Sequence, residues 1–169
     1  MLRLSRLATA LCFLLTFSGT AARAQSDGVK IEFTFQGAVD CEQPIKVNNF
    51  GFSGRGSGIL YANRRAALDV TFSGVSTNTI RFDASLGGAP TSAPGGTAQL
   101  RVLGPNKLRM IWSLPNNDQS VDIAVSGRSC TASINNTLKR GSRQYSLFDG
   151  GIFIFCAKPR ITQTTCNIR

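Results

Sequence analysis

The sequence predicts an all-β protein, and three observations carry that expectation. Apolar side chains recur at every second residue, not every third or fourth. Short links rich in Gly, Pro and Asn separate the alternating runs. After the first two dozen residues there is no amphipathic stretch of about ten residues or more with helical spacing, so crossover helices and a parallel sheet are not expected.

The chain opens on an export leader. Arg3 and Arg6 precede an apolar run over residues 7–17, Ser18-Gly19-Thr20 breaks that run, and Ala22-Arg23-Ala24 has the small–x–small spacing of a cleavage site. The run falls well short of the roughly 20 residues that span a bilayer. Residues 1–24 are therefore expected to be a signal peptide, removed together with Cys12. Residues 25–169 remain as one domain, large enough to bury a core.

The strands follow in order. Val29, Ile31, Phe33 and Phe35 alternate with Lys30, Glu32 and Thr34. Residues 45–50 and 57–61 are weaker candidates, on either side of the Gly-rich stretch 51–58 (GFSGRGSG). Leu68, Val70 and Phe72 alternate with Asp69, Thr71 and Ser73, and Ile80, Phe82, Ala84 and Leu86 with Arg81, Asp83 and Ser85. Ala98, Leu100 and Val102 alternate with Gln99 and Arg101, and Leu108, Met110, Trp112 and Leu114 with Arg109, Ile111 and Ser113. Val121, Ile123 and Val125 alternate with Asp122 and Ala124, and Cys130, Ala132 and Ile134 with Thr131 and Ser133. Residues 144–148 and 151–156 complete the set, and the second is apolar on both faces, so it should be central or covered.

Successive side chains on a strand point to opposite faces, so each run has one oily and one wet face, as in antiparallel sheets. Gly104-Pro105-Asn106-Lys107, Pro115-Asn116-Asn117-Asp118 and Asp149-Gly150-Gly151 are tight turns, and residues 87–96 form a longer hairpin tip. About nine strands joined this way predict a barrel-like antiparallel meander, with a two-sheet β-sandwich as the alternative. In both, Phe33, Phe35, Phe72, Phe82, Met110 and Trp112 face the interior.

Cys41, Cys130, Cys156 and Cys166 remain after the leader. An even number in an exported chain reads as two disulfides, with three connectivities open. The expected pairing is Cys156–Cys166, closing a short excursion through Pro159, with Cys41–Cys130. There is no C-x-x-C and no His, so neither a thioredoxin-like nor a zinc site is expected.

Charge bounds the partners. The formal net charge is +10, and loss of Arg3, Arg6 and Arg23 leaves about +7. Such a surface favours anionic partners. Yet the densest groups, Arg64-Arg65 and Lys139-Arg140 with Arg143, are shorter than a nucleic-acid or heparin patch. Together with export, this sets nucleic acid aside and leaves an anionic envelope component or a small apolar ligand.

The absence of His removes the commonest general base and the Ser-His-Asp and Cys-His arrangements. No Ser-x-x-Lys context surrounds the lysines. Asp69 and Asp83 lie on the polar faces of consecutive strands and could pair as in sugar hydrolysis, but with Arg81 beside them a surface charge network is the simpler reading. The Gly-rich stretch around Arg55 could present amides to an anion, with Arg55, Arg64 and Arg65 as the first candidates. It lacks both the following helix and the Gly-Lys-Ser/Thr of a phosphate loop, so a flexible loop or bulge is simpler. Asn135-Asn136-Thr137 matches the glycan acceptor pattern, which matters only in a eukaryotic source.

The expectation is a periplasmic or secreted, non-catalytic binding module with no cofactor. It would hold a small apolar ligand in its interior or an anionic surface on its basic face. A structural or protein-interaction domain of the cell envelope, binding by a face or an edge strand, is the alternative. A His-free hydrolase using Asp69 and Asp83 is the remote one.

Overall fold

The computed structural model describes residues 28–44, 46–61, 65–74, 76–84 and 88–169. The expected signal peptide and Arg64 lie outside them. The described chain forms antiparallel strands: β1 (Val29–Gln43), β2 (Val47–Leu60), β3 (Ala66–Ser73), β4 (Thr77–Asp83), β5 (Thr91–Ala93), β6 (Gly96–Gly104), β7 (Lys107–Ser113), β8 (Asn117–Ser126), β9 (Ser129–Leu138), β10 (Tyr145–Asp149), β11 (Ile152–Cys156) and β12 (Arg160–Ile168).

These strands make a two-sheet sandwich and not a closed barrel. One sheet has the order β10-β11-β1-β2-β3-β4, with β12 also paired to β1, and the other runs β5-β6-β7-β8-β9. The short links that suggested a barrel join neighbours within a sheet. The segments after β4 and after β9 carry the chain across to the opposite sheet, where no ladder continues.

The alternation in the sequence becomes the core. Phe33, Met110 and Trp112 are 1 %, 1 % and 3 % exposed, and Phe82 is equally buried. Phe72 is half-buried and packs against the same cluster. Arg101, Arg109 and Asp122 share the outer face of the second sheet, where Arg109 sits opposite both Arg101 and Asp122.

The Gly-rich stretch 51–58 is neither a loop nor a bulge but the middle of β2. In the β1–β2 register Phe33 lies opposite Gly56 and Phe35 opposite Gly54. Each ring fills the space above its glycine, where a Cβ would overlap it. The glycines are there to be covered, so the two weak strand candidates merge into one long strand.

β1 has three partners. β2 runs along most of it, β12 pairs with its first part and β11 with its last. This placement corrects the disulfide pairing. Cys156 stands opposite Cys41, and Cys166 stands opposite Phe33. Eight residues of extended β1 separate those two positions, roughly 25 Å, so Cys156 and Cys166 cannot meet. The bonds are Cys41–Cys156 within the first sheet and Cys130–Cys166 between β9 and β12, the latter with Cα atoms 5.4 Å apart. Cys130–Cys166 thus staples one sheet to the other. Disulfides of this kind belong to an oxidising, extracytoplasmic environment. Among the described residues no helix is long and apolar enough to cross a membrane.

β12, with the sequence RITQTTCNI, was not anticipated, and neither was the short β5 inside the expected hairpin tip. β11 is central in its sheet, between β10 and β1, but it is not covered on both faces, since Ile152 is exposed and Phe153, Ile154 and Phe155 are half-buried.

The glycine–phenylalanine fit can be tested directly. Gly56→Val should lower unfolding free energy by about 1–3 kcal/mol, the range for overpacking a filled core. Gly51→Val, where an added side chain meets nothing, should change it little. Chemical denaturation of the two variants checks the difference.

Candidate functional site

The register of β1 against β2 slips between Val39 and Cys41, and β11 joins β1 beyond that bulge. The β10–β11 hairpin is thereby carried onto the end of the sandwich. Phe148 packs there against the main core and against Gly95 in the β5–β6 turn, whose positive φ of 69° suits glycine.

Four side chains hold the hairpin down. Asp149, only 7 % exposed, accepts a hydrogen bond from the Ser76 amide at 2.7 Å and another from the Ser76 hydroxyl. That hydroxyl in turn accepts from the Gly150 amide at 2.7 Å, which ties the β3–β4 turn to the hairpin. Asn117 is fully buried at the start of β8, and its Oδ1 accepts from the Ser146 amide at 2.7 Å. Asn78 of β4 donates from Nδ2 to the Phe148 carbonyl at 3.4 Å. Two backbone groups of β10 are thus bonded by asparagines from other strands.

Between the sheets, beside this hairpin, lies a cavity of about 60 Å³. Seven aromatic side chains line it, Trp112 and six phenylalanines. Phe35, Phe72 and Trp112 form a continuous chain across it from one sheet to the other, with ring centroids 5.7 Å and then 4.9 Å apart. The Trp112 indole N–H donates to the Pro94 carbonyl at 2.9 Å, which fixes the ring. The polar lining includes Asn78, Gln119, Asn136 and Asp149. Asn136 Oδ1 is buried and has no hydrogen-bond partner among the described residues. Apolar walls with a few convergent polar groups are the usual make-up of a small-molecule site, although most such sites are several times larger.

The structure distributes the sequence-derived candidates as follows. Phe72, Phe82, Met110 and Trp112 line the cavity, while Phe33 is buried over Gly56 and is not part of its wall. Arg55 is exposed on the outer face of the first sheet, between Thr34 and Thr71. Arg65 immediately precedes β3, six residues along that strand from Thr71, so roughly 20 Å of extended backbone separates it from Arg55's position. Arg64 lies outside the described residues. Asp69 and Asp83 share Arg81, at 3.1 and 3.9 Å, on an exposed face.

Asp149 was missed as a site residue. Its place in Asp149-Gly150-Gly151 reads as turn chemistry, and no local signal ties it to Ser76, 73 residues earlier.

Elsewhere the carboxylates are engaged in local pairs. Asp40 accepts from the Asn49 amide at 2.7 Å and from Arg160 at 3.0 Å, and these bonds hold its pKa below the usual 3.8. Asp122 accepts two bonds from Arg109 and raises that guanidinium's pKa. Among the described residues no group of His, Cys, Asp or Glu could hold a metal ion. The chain matches no family model, no curated protein and no solved structure.

The hairpin's attachment makes its own test. Asp149→Ala leaves the Ser76 amide and hydroxyl without their acceptor and should cost about 1–3 kcal/mol, against under 1 kcal/mol for Asp69→Ala in its exposed pair. Hydrogen exchange should speed up at Ser76 and Gly150 in the first variant alone.

Proposed function

We propose that the chain is an exported, periplasmic or secreted, non-catalytic binding module, and that the inter-sheet cavity takes a small apolar-faced group. The aromatic lining is the observation that carries this reading. Seven rings surround one space, and the polar lining residues are few and come from several strands.

Size restricts the occupant. At about 60 Å³ the cavity holds a few water-sized groups, on a scale where one water takes roughly 10–15 Å³. A small branched alkyl head suits that space, whereas a benzene ring occupies a cavity of about 150 Å³, so neither an aromatic ring nor a lipid chain fits. The absence of His supports binding over turnover, because the ordinary proton-transfer residue is missing from the whole chain. The anionic-surface reading has less support, since Arg55 and Arg65 stand on separate parts of the first sheet.

Trp112 is the single tryptophan of the chain and lines the cavity, so its emission reports directly on occupancy. Titration with tert-butanol should shift that emission saturably, with one site per chain. Val121→Phe, which fills the space from β8, should abolish the response while circular dichroism stays native. Flat emission at every tert-butanol concentration below the onset of unfolding would refute the reading.

A further inference from the structure

The inner face of the second sheet changes character within the cavity. Met110, Val121 and Ile134 stand opposite one another on β7, β8 and β9. Two residues further toward the β7–β8 turn, Trp112, Gln119 and Asn136 do the same. Residues opposite one another on paired strands share a face, and all six line the cavity. One wall is therefore a wholly apolar row beside a row that passes from an indole ring to two amides.

The last of those amides lacks a partner. Asn136 Oδ1 is buried and meets no hydrogen-bond donor among the described residues. A buried acceptor left in this state is costly, and a ligand that donates to it removes the cost. The carboxylate makes no such demand, because Asp149 already accepts from the Ser76 amide and hydroxyl. Water suits the space poorly, since a buried water is held by about two to four polar partners and most residues of this lining are apolar. A charged donor would leave water for that apolar lining, a transfer that one hydrogen bond does not offset. What remains is a neutral donor that brings its own apolar surface.

We infer that the occupant is a small neutral alcohol of about four or five non-hydrogen atoms, a size set by the cavity volume. Its alkyl end lies on Met110 and Val121, and its O–H is donated to Asn136 Oδ1. This inference rests on the proposed binding role of the same cavity and narrows it to one ligand class. The two rows also set the orientation: turned around, the hydroxyl would face the apolar side chains of Met110, Val121 and Ile134.

The test compares 2-propanol with acetone, two soluble probes of nearly equal size, of which only the first has a proton to donate. Both are titrated into the folded, isotope-labelled protein and followed by the NMR signals of the Trp112 indole N–H and the Asn136 side-chain amide. 2-Propanol should bind at least about fivefold tighter than acetone, the low end of the cost of an unmatched buried acceptor. Asn136→Leu should erase that preference while both probes still bind. Should this variant fail to fold, the Asn136 carboxamide carbon of the unaltered protein gives the same answer, shifting with 2-propanol and staying in place with acetone. A smaller preference, a preference for acetone, or one that survives Asn136→Leu makes the alcohol assignment wrong while the apolar-pocket reading stands. Absence of any saturable shift with either probe sinks both.

Discussion

The rings of Phe33 and Phe35 need the side-chain space of the neighbouring strand, and Gly56 and Gly54 leave it empty for them. Much of the architecture follows from this steric fit. Because β2 contributes no side chain at Gly54, which lies between Phe35 and Phe72 in the sheet, the Phe35 ring covers that glycine and meets Phe72 on β3 edge-on. Phe72 then meets Trp112 on the opposite sheet. One line of aromatic contact therefore begins over a glycine and ends in the second sheet. The cavity lies along that line, so its walls are part of the core and not an addition to it.

β1 is the second organising element. It is the strand to which β2, β11 and β12 all bond, and the register slip past Val39 lets its two ends serve different partners. Around the slip, Val39, Cys41 and Cys156 form a small core of their own, with Phe50, Leu147 and Ile154 packed around it. The Cys41–Cys156 bond fastens the β10–β11 hairpin to β1 at that point. At the opposite end of β1, Cys130–Cys166 joins β9 to β12, two strands that lie side by side without a shared ladder. The two covalent links therefore divide the labour. One anchors the hairpin beside the cavity and the other holds the sheets together.

The alternating strands were plain in the sequence because a half-wet sheet imposes a period of two on its residues, and seven runs obey it. β12 was invisible for the opposite reason. Ile161, Thr164, Cys166 and Ile168 are interrupted by a register irregularity and by threonines, so no clean alternation survives. The glycines of β2 misled for a related cause, since their partners are aromatic rings on a different strand and no local pattern records that. Sheet membership was also beyond local reading, because links of similar length serve both neighbours in a sheet and crossings between sheets. The residues facing the cavity were partly legible: Phe72, Met110 and Trp112 follow from alternation, whereas Asp149 and Asn136 acquire their roles only through contacts between distant strands.

The chain folds as two sheets with β9 set against β12 and β11 against the far end of β1. Disulfide mapping of the secreted protein tests this most directly, because tryptic cleavage at Lys46, Arg128, Lys139, Arg143 and Arg160 separates all four cysteines. Non-reducing mass spectrometry should find the Cys41 peptide joined to that of Cys156, and the Cys130 peptide joined to that of Cys166. Recovery of Cys156 linked to Cys166 would contradict the sandwich, since no pairing of both strands with β1 brings those two sulfurs together.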